Sequence, residues 1–490
     1  MVNCIPRKKL ECILISEKIK NMKRNLLQKK FLLRLSVVCI IGFLSACNAV
    51  VSQDKYTSIK VDAPFDMPDI KVYNFPNRDF LITDFGAKAE VNFDNTKAFA
   101  DAIQACTDAG GGRVVVPAGV WQTGAIHLKD NVNLHLSENA VINFTDDPKA
   151  YLPAVQTSWE GIECYNYSPL VYAFGRKNIA ITGKGKLMPK MDTWKIWFAR
   201  PPAHMEALKK LYHQLSRNVP VVERQMAYGE ANLRPHLIQF NRCQNILLED
   251  FKIQNSPFWT IHIFKSTNGL IRNLDVKATG HNNDGVDLEM SKNFLIENCK
   301  FEQGDDGIVI KSGRNHDGWR LNTPTENIVA RNCTIVKAHA LIVFGSELSG
   351  GIRNIYVHDC QITRPVSRLS TLKTNKRRGG FVENVYVKNC VADVLKRGVF
   401  ELRTNCIFQW NVVPTYEEKL TSVDGIHFEN IKCKSAGFLY KITAKEALTA
   451  KNFYFKNWEV DTVQDPKCTV VNAENVNAEN IVYKKIGVVK

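Results

Sequence analysis

Four short polar motifs interrupt an apolar pattern in the second half of this 490-residue chain. They are Asn282-Asn283-Asp284-Gly285-Val286-Asp287, Gly304-Asp305-Asp306-Gly307, Ala338-His339-Ala340 and Thr371-Leu372-Lys373-Thr374. Brought together, Asp284, Asp305 and Asp306 form a cluster of three carboxyl groups beside an imidazole and an ammonium. Like charges at close range do not all ionise cheaply, so at least one carboxyl in such a cluster has a raised pKa. One carboxyl then stays protonated as a general acid while another serves as base, the condition for splitting a glycosidic bond. An acidic turn that binds Ca²⁺ or faces solvent is the simpler alternative. Recurrence in phase, with a His and a Lys alongside, argues against it.

The elements that must position these residues are legible as a repeat. Asn245-Ile246-Leu247-Leu248-Glu249-Asp250-Phe251 returns as Asn293 to Cys299, Asn327 to Cys333, Asn354 to Cys360 and Asn384 to Cys390. Looser copies start at Asn178, Gly269, Gly425, Asn452 and Asn480. Each copy alternates apolar and polar residues with the period of a strand. A period near 24–30 residues is too short for a propeller blade of ~40–45 residues, and no helical pattern lies inside the repeat. The economical solution is an all-β fold, a right-handed parallel β-helix in which each coil adds one strand to each of several sheets. The Asn or Asp at the sixth position marks the strand-to-turn junction, where a left-handed residue bonds its equivalent one coil away. Cys299, Cys333, Cys360 and Cys390 share one phase and read as a buried column of small apolar thiols. Asp284 follows Gly269 by 15 residues, Asp305 and Asp306 follow Asn293 by 12 and 13, and His339 follows Asn327 by 12. These groups therefore stack on successive coils about 4.8 Å apart. The phase of Lys373 is less well set.

Around this array, Asp94-Asn95-Thr96 starts a helix that Ala109-Gly110-Gly111-Gly112 stops, a cap for the open N-terminal end of the solenoid. Residues 191–234 are an insertion with a helix from Met205 to Leu215, and smaller excursions occupy 313–326 and 403–422. Long insertions on a solenoid line its binding face.

Hydrophobic residues make up 45% and charged residues 23%, which excludes a mainly disordered chain. The net charge is +16, of which residues 1–46 supply +8. That segment is basic and then apolar from Leu35 to Ala46, the pattern of a secretory signal rather than a membrane span. It ends Leu44-Ser45-Ala46-Cys47, similar to a bacterial lipobox in which Cys47 is lipidated. Met22-Lys23-Arg24 is a more usual start, which makes 1–21 a misassigned extension. The organisation expected is a leader at 1–46, a lipid tether and leading segment at 47–80, and a β-helix catalytic domain at 81–490. An exported protein at the periplasm or cell surface, held to the membrane only by its lipid, is expected, with no nucleic-acid partner; the sign of the basic excess by itself does not choose an acidic polysaccharide.

The four motifs, in order on successive coils, resemble glycoside hydrolase family 28, the polygalacturonase family. The family pattern reads Asn-Thr-Asp, Gly-Asp-Asp, Gly-His-Gly and Arg-x-Lys, and Asp84-Phe85-Gly86-Ala87 and Gly345-Ser346-Glu347 extend the likeness. The resemblance implies an inverting hydrolase of α-galacturonosyl linkages in pectin, with no metal or organic cofactor. It implies Asp305 as general acid, Asp284 and Asp306 sharing the base role, and His339 maintaining the acid's protonation. It implies Lys373 pairing with a substrate carboxylate, with Asn282, Lys311 and Arg314 beside the substrate.

Three departures stand out. Asn283 replaces Thr, and Ala338 and Ala340 replace the glycines that flank His339. Thr371 replaces the Arg, and threonine makes no bidentate ionic contact with a carboxylate. Either Arg314, Arg368 or Arg403 takes that place, or the substrate is a rhamnogalacturonan- or xylogalacturonan-type pectin. A β-helix pectate lyase and a non-catalytic glycan-binding solenoid are the competing functions. The insertion at 191–234 favours exo action by closing one end of the groove. Trp194, Trp197, Trp259 and Trp319 are candidate sugar platforms, and Lys373, Lys376, Arg377 and Arg378 a candidate polyanion rim.

Overall fold

The computed structural model describes residues 16, 18, 20–26, 55–229, 233–406 and 418–485. The chain divides into two units, Met1–Lys55 and Tyr56–Lys490. In the first, residues 20–26 are helical and exposed. Cys47 and the apolar run from Leu35 lie outside the described residues. Among the described residues no helix is long and apolar enough to cross a membrane.

The second unit is a parallel β-helix. One sheet stacks Val171–Phe174, Ile238–Asn241, Ile261–Phe264, Val286–Glu289, Ile308–Lys311, Ala340–Gly345 and Val366–Lys373. A second stacks the Asn-headed repeats, from Lys177–Gly183 through Gln244–Glu249 and Thr267–Arg272 onward. A third carries short strands such as Lys252–Gln254, Asp275–Ala278 and Lys300–Gln303. Towards the C-terminus the three strands of a coil merge into long ones, Phe381–Arg403 and Ser422–Thr443. The helix Thr96–Asp108 buries Phe99, Ala102, Ile103 and Cys106 against the first coil, at the bounds its flanking residues predict.

Two asparagine ladders run along the stack in several segments. The repeat Asn sits at positive φ (Asn245 57°, Asn293 62°, Asn327 57°), and so does the junction residue (Asn298 55°, Asn332 54°). Asn268 Nδ2 donates to Asn245 Oδ1 at 2.9 Å, and Asn354 to Asn327 at 3.0 Å. In the other ladder Asn430 donates to Asn389 at 2.9 Å and Asn457 to Asn430 at 3.1 Å. The amide spans the coil spacing while its backbone turns left-handed, a conformation Asn tolerates better than other side chains. The sequence predicts the junction ladder; the ladder at the first Asn is an addition. Cys299, Cys333, Cys360 and Cys390 are buried thiols on successive coils, as their phase predicts.

One apolar stripe faces outward. The repeats read Ile-Leu-Leu, Phe-Leu-Ile and Ile-Val-Ala because their central residues are also covered. Ala180, Leu247, Leu270, Leu295 and Val329 form a column on the outer face of the second sheet, and Val61 and Ile70 pack on it. Strands Tyr56–Ile59 and Ile70–Tyr73 pair antiparallel and strap the stack. Tyr56 Oη donates to Asn178 Oδ1 at 3.2 Å, and Lys71 N to Asn268 Oδ1 at 2.9 Å. Phe65 reaches the ring of Tyr386, 6.4 Å between centroids. Each Val, Leu or Ile buried this way contributes about 1.5–3 kcal/mol.

Candidate active site

The acids lie where the third sheet turns into the first, so each coil presents its turn at the same angle. Asp284 precedes strand Val286–Glu289, Asp305 and Asp306 precede Ile308–Lys311, and His339 precedes Ala340–Gly345. The turns interlock through the backbone: Asp305 N donates to Asn283 O at 3.2 Å, and His339 N to Asp305 O at 2.6 Å. Close stacking needs glycine: a Cβ on Gly304 would lie 2.0 Å from Gly280 O, and one on Gly285 2.5 Å from Gly307 O. Asn283, in the family's threonine position, ties its turn with donations to Ser256 O (3.0 Å) and Phe258 O (2.8 Å).

The expected cluster forms. Asp306 N donates to Asp284 Oδ1 at 3.3 Å, His339 Nδ1 bonds Asp305 Oδ1 at 2.8 Å, and Lys373 Nζ donates to Asp306 Oδ2 at 3.0 Å. Lys373, whose phase the sequence leaves loose, thus reaches the acids. Its ammonium is engaged by Asp306, so a substrate carboxylate would share it. Asp305, Asp306 and His339 offer ligand atoms within 4.8 Å of one another, but the imidazole and the ammonium already serve these carboxylates as internal cations.

Electrostatics separate the acids differently from the sequence expectation. Burial, with Asp305 nearby, pushes the Asp284 carboxyl up to about 8. Burial would raise Asp305 too, but the His339 hydrogen bond and the Lys373 charge outweigh it and hold this carboxyl below its ordinary range. The hydrogen bond to Asp305 raises His339 in turn. Between Asp284 and Asp305, the raised carboxyl of the free protein is therefore Asp284. The pair Asp305–His339 shares a proton that rests on the imidazole.

These groups line a cavity of about 470 Å³ together with Glu160, Arg200, Trp259, Asn282, Arg368 and Arg403, among others. Lys311 and Arg314 line it as expected of residues near a substrate, but their charges are engaged within the protein. Lys311 Nζ donates to Glu347 Oε2 at 3.2 Å and lies 4.4 Å over the Trp259 ring. Arg314 pairs with Glu347 at 2.5 Å and Glu160 at 3.1 Å and donates to Tyr212 Oη. They hold the wall. Asn282 Oδ1 accepts from Arg234 at 3.0 Å and Arg200 at 3.4 Å, which fixes the insertion to the first acidic turn.

The insertion is helical at Asp192–Phe198 and Pro202–Ser216, longer than the helix the sequence predicts. Tyr212 comes from its second helix, and Glu160 from the hairpin Val155–Trp159 and Ile162–Asn166, which sequence reading missed. Its local sequence signal is Gly161, which forms the two-residue turn with Glu160, both at positive φ (81° and 45°). Of the four tryptophans only Trp259 lines the cavity. Trp194 and Trp197 pack edge to face in the core, and Trp319 Nε1 donates to Arg378 O. The basic run is not an open rim: Arg378 is buried and donates to Ser346 O (2.7 Å) and Asn315 Oδ1 (2.6 Å), and Lys376 lies 3.6 Å from Glu418.

Comparison with known proteins agrees with this geometry. The family model for glycosyl hydrolases family 28 matches residues 225–481. A "Probable polygalacturonase" of Vitis vinifera is 28% identical over 64% of this chain and 61% of its own length. An "Exo-poly-alpha-D-galacturonosidase" of Dickeya chrysanthemi is 26% identical over 65% of this chain and 56% of its own length. The chain thus spans about three fifths of the length of these two relatives. Among solved structures, a hyperthermoactive exopolygalacturonase from Thermotoga maritima is 37% identical, with a TM-score of 0.73 over 83% of this chain and 90% of its own.

Proposed function

The chain belongs to glycosyl hydrolases family 28, and on that premise we propose that it hydrolyses α-galacturonosyl linkages of pectin with inversion, from a chain end. The observation that carries this reading is the phased cluster of Asp284, Asp305, Asp306 and His339 in a cavity rich in Arg and Lys. Asp305, partly exposed at the cavity surface, protonates the glycosidic oxygen. Asp306 and Asp284 direct water at the opposite face of the sugar ring, and Asp306 takes the proton that the water gives up. His339 returns its proton to Asp305 as an anionic substrate enters and water leaves, since added negative charge favours the neutral carboxyl. The wall built by Glu160, Arg314 and Tyr212, with Arg200 at the first acidic turn, supports action at a chain end. So does the likeness to proteins named as exo-acting.

The test is incubation with homogalacturonan, rhamnogalacturonan and their oligosaccharides, with products resolved by chromatography, mass and early-time NMR. We expect saturated mono- or digalacturonate from the first minutes, released as the β-anomer. Long oligomers first would exclude exo action, α-anomers would exclude inversion, and unsaturated products absorbing in the ultraviolet would mean a lyase. Release from rhamnogalacturonan alone would assign the decorated pectins that Thr371 allows.

We further propose that the protein is exported and held at the periplasm or cell surface by lipid on Cys47. The basic and apolar leader before that cysteine supports this. Cys47→Ser should move the protein from the detergent phase to the aqueous phase; unchanged partition would remove the anchor.

A further inference from the structure

An anionic polymer needs cations that the protein has not already neutralised. Six arginine and lysine side chains line the cavity: Arg200, Lys311, Arg314, Arg368, Lys373 and Arg403. Four of them face carboxylates of the protein. Lys311 and Arg314 serve Glu347 and Glu160, and Lys373 serves Asp306. Arg368 Nε donates to Glu401 Oε2 at 2.6 Å, and its Nη2 lies at the same distance from that oxygen. Arg200 donates to the neutral Asn282 Oδ1 at 3.4 Å. The Arg403 guanidinium has no hydrogen-bond or ion-pair partner among the described residues, and its side chain is half-buried at the cavity.

Its place in the fold is definite. Arg403 ends the strand Phe381–Arg403 in direct register with Lys373 on the preceding coil, and Glu401 is in register with Thr371. Residues in register on adjacent parallel strands share a face of the sheet, so Arg403 projects on the same side as Lys373, about 4.8 Å further along the stack. Thr371 is closed to a ligand: it is buried, and its hydroxyl donates to Glu401 O at 3.0 Å. Of the three bases that could take the place of an arginine at 371, two are committed elsewhere.

We propose that Arg403 binds a carboxylate of the uronate substrate in a subsite one coil beyond Lys373. This rests on reading the cavity as a galacturonan site. A guanidinium with its fork free makes a bidentate, charge-assisted contact, and it faces no internal competitor. The carboxylate-reading position has thus moved by one coil relative to residue 371, and with it the sugar that is selected for charge.

The test compares wild type, Arg403→Gln, Arg403→Lys and Arg200→Gln on trigalacturonate and on the same oligosaccharide with its carboxyls reduced. Binding is also measured by calorimetry, with trigalacturonate as the probe. For Arg403→Gln we expect KM and Kd for trigalacturonate to rise about 10- to 100-fold, with kcat within a few-fold and the reduced sugar unaffected. Arg403→Lys should recover part of the loss. The proposal is overturned if Arg403→Gln stays within twofold of wild type on trigalacturonate, or if both sugars lose equally. It is also overturned if only Arg200→Gln shows the charge-dependent loss. Should wild type cleave no uronate glycan, the hydrolase reading fails. Calorimetry then decides for Arg403: weaker binding by Arg403→Gln supports the contact and unchanged binding removes it.

Discussion

Asp305→Asn should lower hydrolysis of galacturonan by about a thousandfold, with the fold intact. Loss of a positioned general acid costs 10²–10⁴ in rate, and the amide keeps the shape and an acceptor for His339. Because Asp305 meets its partner at the cavity surface, with 23% of its side chain exposed, the change leaves no buried charge unpaired. Initial rates on polygalacturonate, beside circular dichroism of both proteins, measure it; a loss under tenfold would remove Asp305 as the acid. The same proton sets the response to pH. It rests on His339, whose pKa the Asp305 bond raises, and it must be present for Asp305 to act. As pH rises through that raised value the proton leaves, so kcat/KM should fall on the alkaline side. A raised folded-state pKa also stabilises the fold fully below the ordinary histidine value near 6.5 and stops doing so above the raised value. In His339→Gln this alkaline limb should vanish or move, and a profile identical to wild type would exclude the imidazole as its source.

Glu347→Gln should destabilise the protein by about 3–5 kcal/mol, the usual result of breaking a buried ion pair from one side. Glu347 is 4% exposed and serves Lys311 at 3.2 Å, Arg314 at 2.5 Å and Arg378 at 3.7 Å. Burial would raise its pKa, yet these three cations hold it well below the carboxylate range. Without its charge, Lys311 retains the carboxyl of Asp287 at 3.7 Å and the carbonyl of Gly345 at 3.4 Å. Burial pushes that carboxyl far above its ordinary range and so toward the neutral form. Arg314 would keep Glu160 as its one carboxylate among the described residues, beside the Tyr212 hydroxyl. The midpoint of urea unfolding measures the loss, and a shift worth less than about 1 kcal/mol would show that Glu347 is not the hub of this wall.

Much of the architecture was legible because a solenoid repeats its signals. Apolar alternation headed by Asn gave the coil. Motif offsets from that Asn place Asp284, Asp305, Asp306 and His339 on one face. The offset argument was weak for Lys373, which lies 19 residues beyond Asn354, on a longer strand whose phase depends on the intervening turn. What escaped were features with no period. Glu160 and the 155–166 hairpin occur once, and the partner of Arg314 lies 154 residues away in sequence. The resemblance implied Lys311 and Arg314 beside the substrate, and the basic run suggested Arg378 for a polyanion rim. Burial and the Glu347 hub engage their charges within the protein, because a cation this enclosed persists only with an internal anion. The assignment of the raised pKa to Asp284 depends on depth behind the turn, which residue type and spacing do not encode.

The outer strap has a consequence for how the molecule comes apart. A coil that touches only its two neighbours makes a stack behave as a chain of local steps, able to fray from either end. The segment from Tyr56 to Phe75 crosses that logic, bonding Asn178 and Asn268 and touching Tyr386 several coils further on. Loss of any coil under it loosens contacts with distant ones. The middle of the stack, where the acids sit, is thereby bound into one cooperative block, while the last strands, with Val482 62% exposed, remain the natural point of fraying.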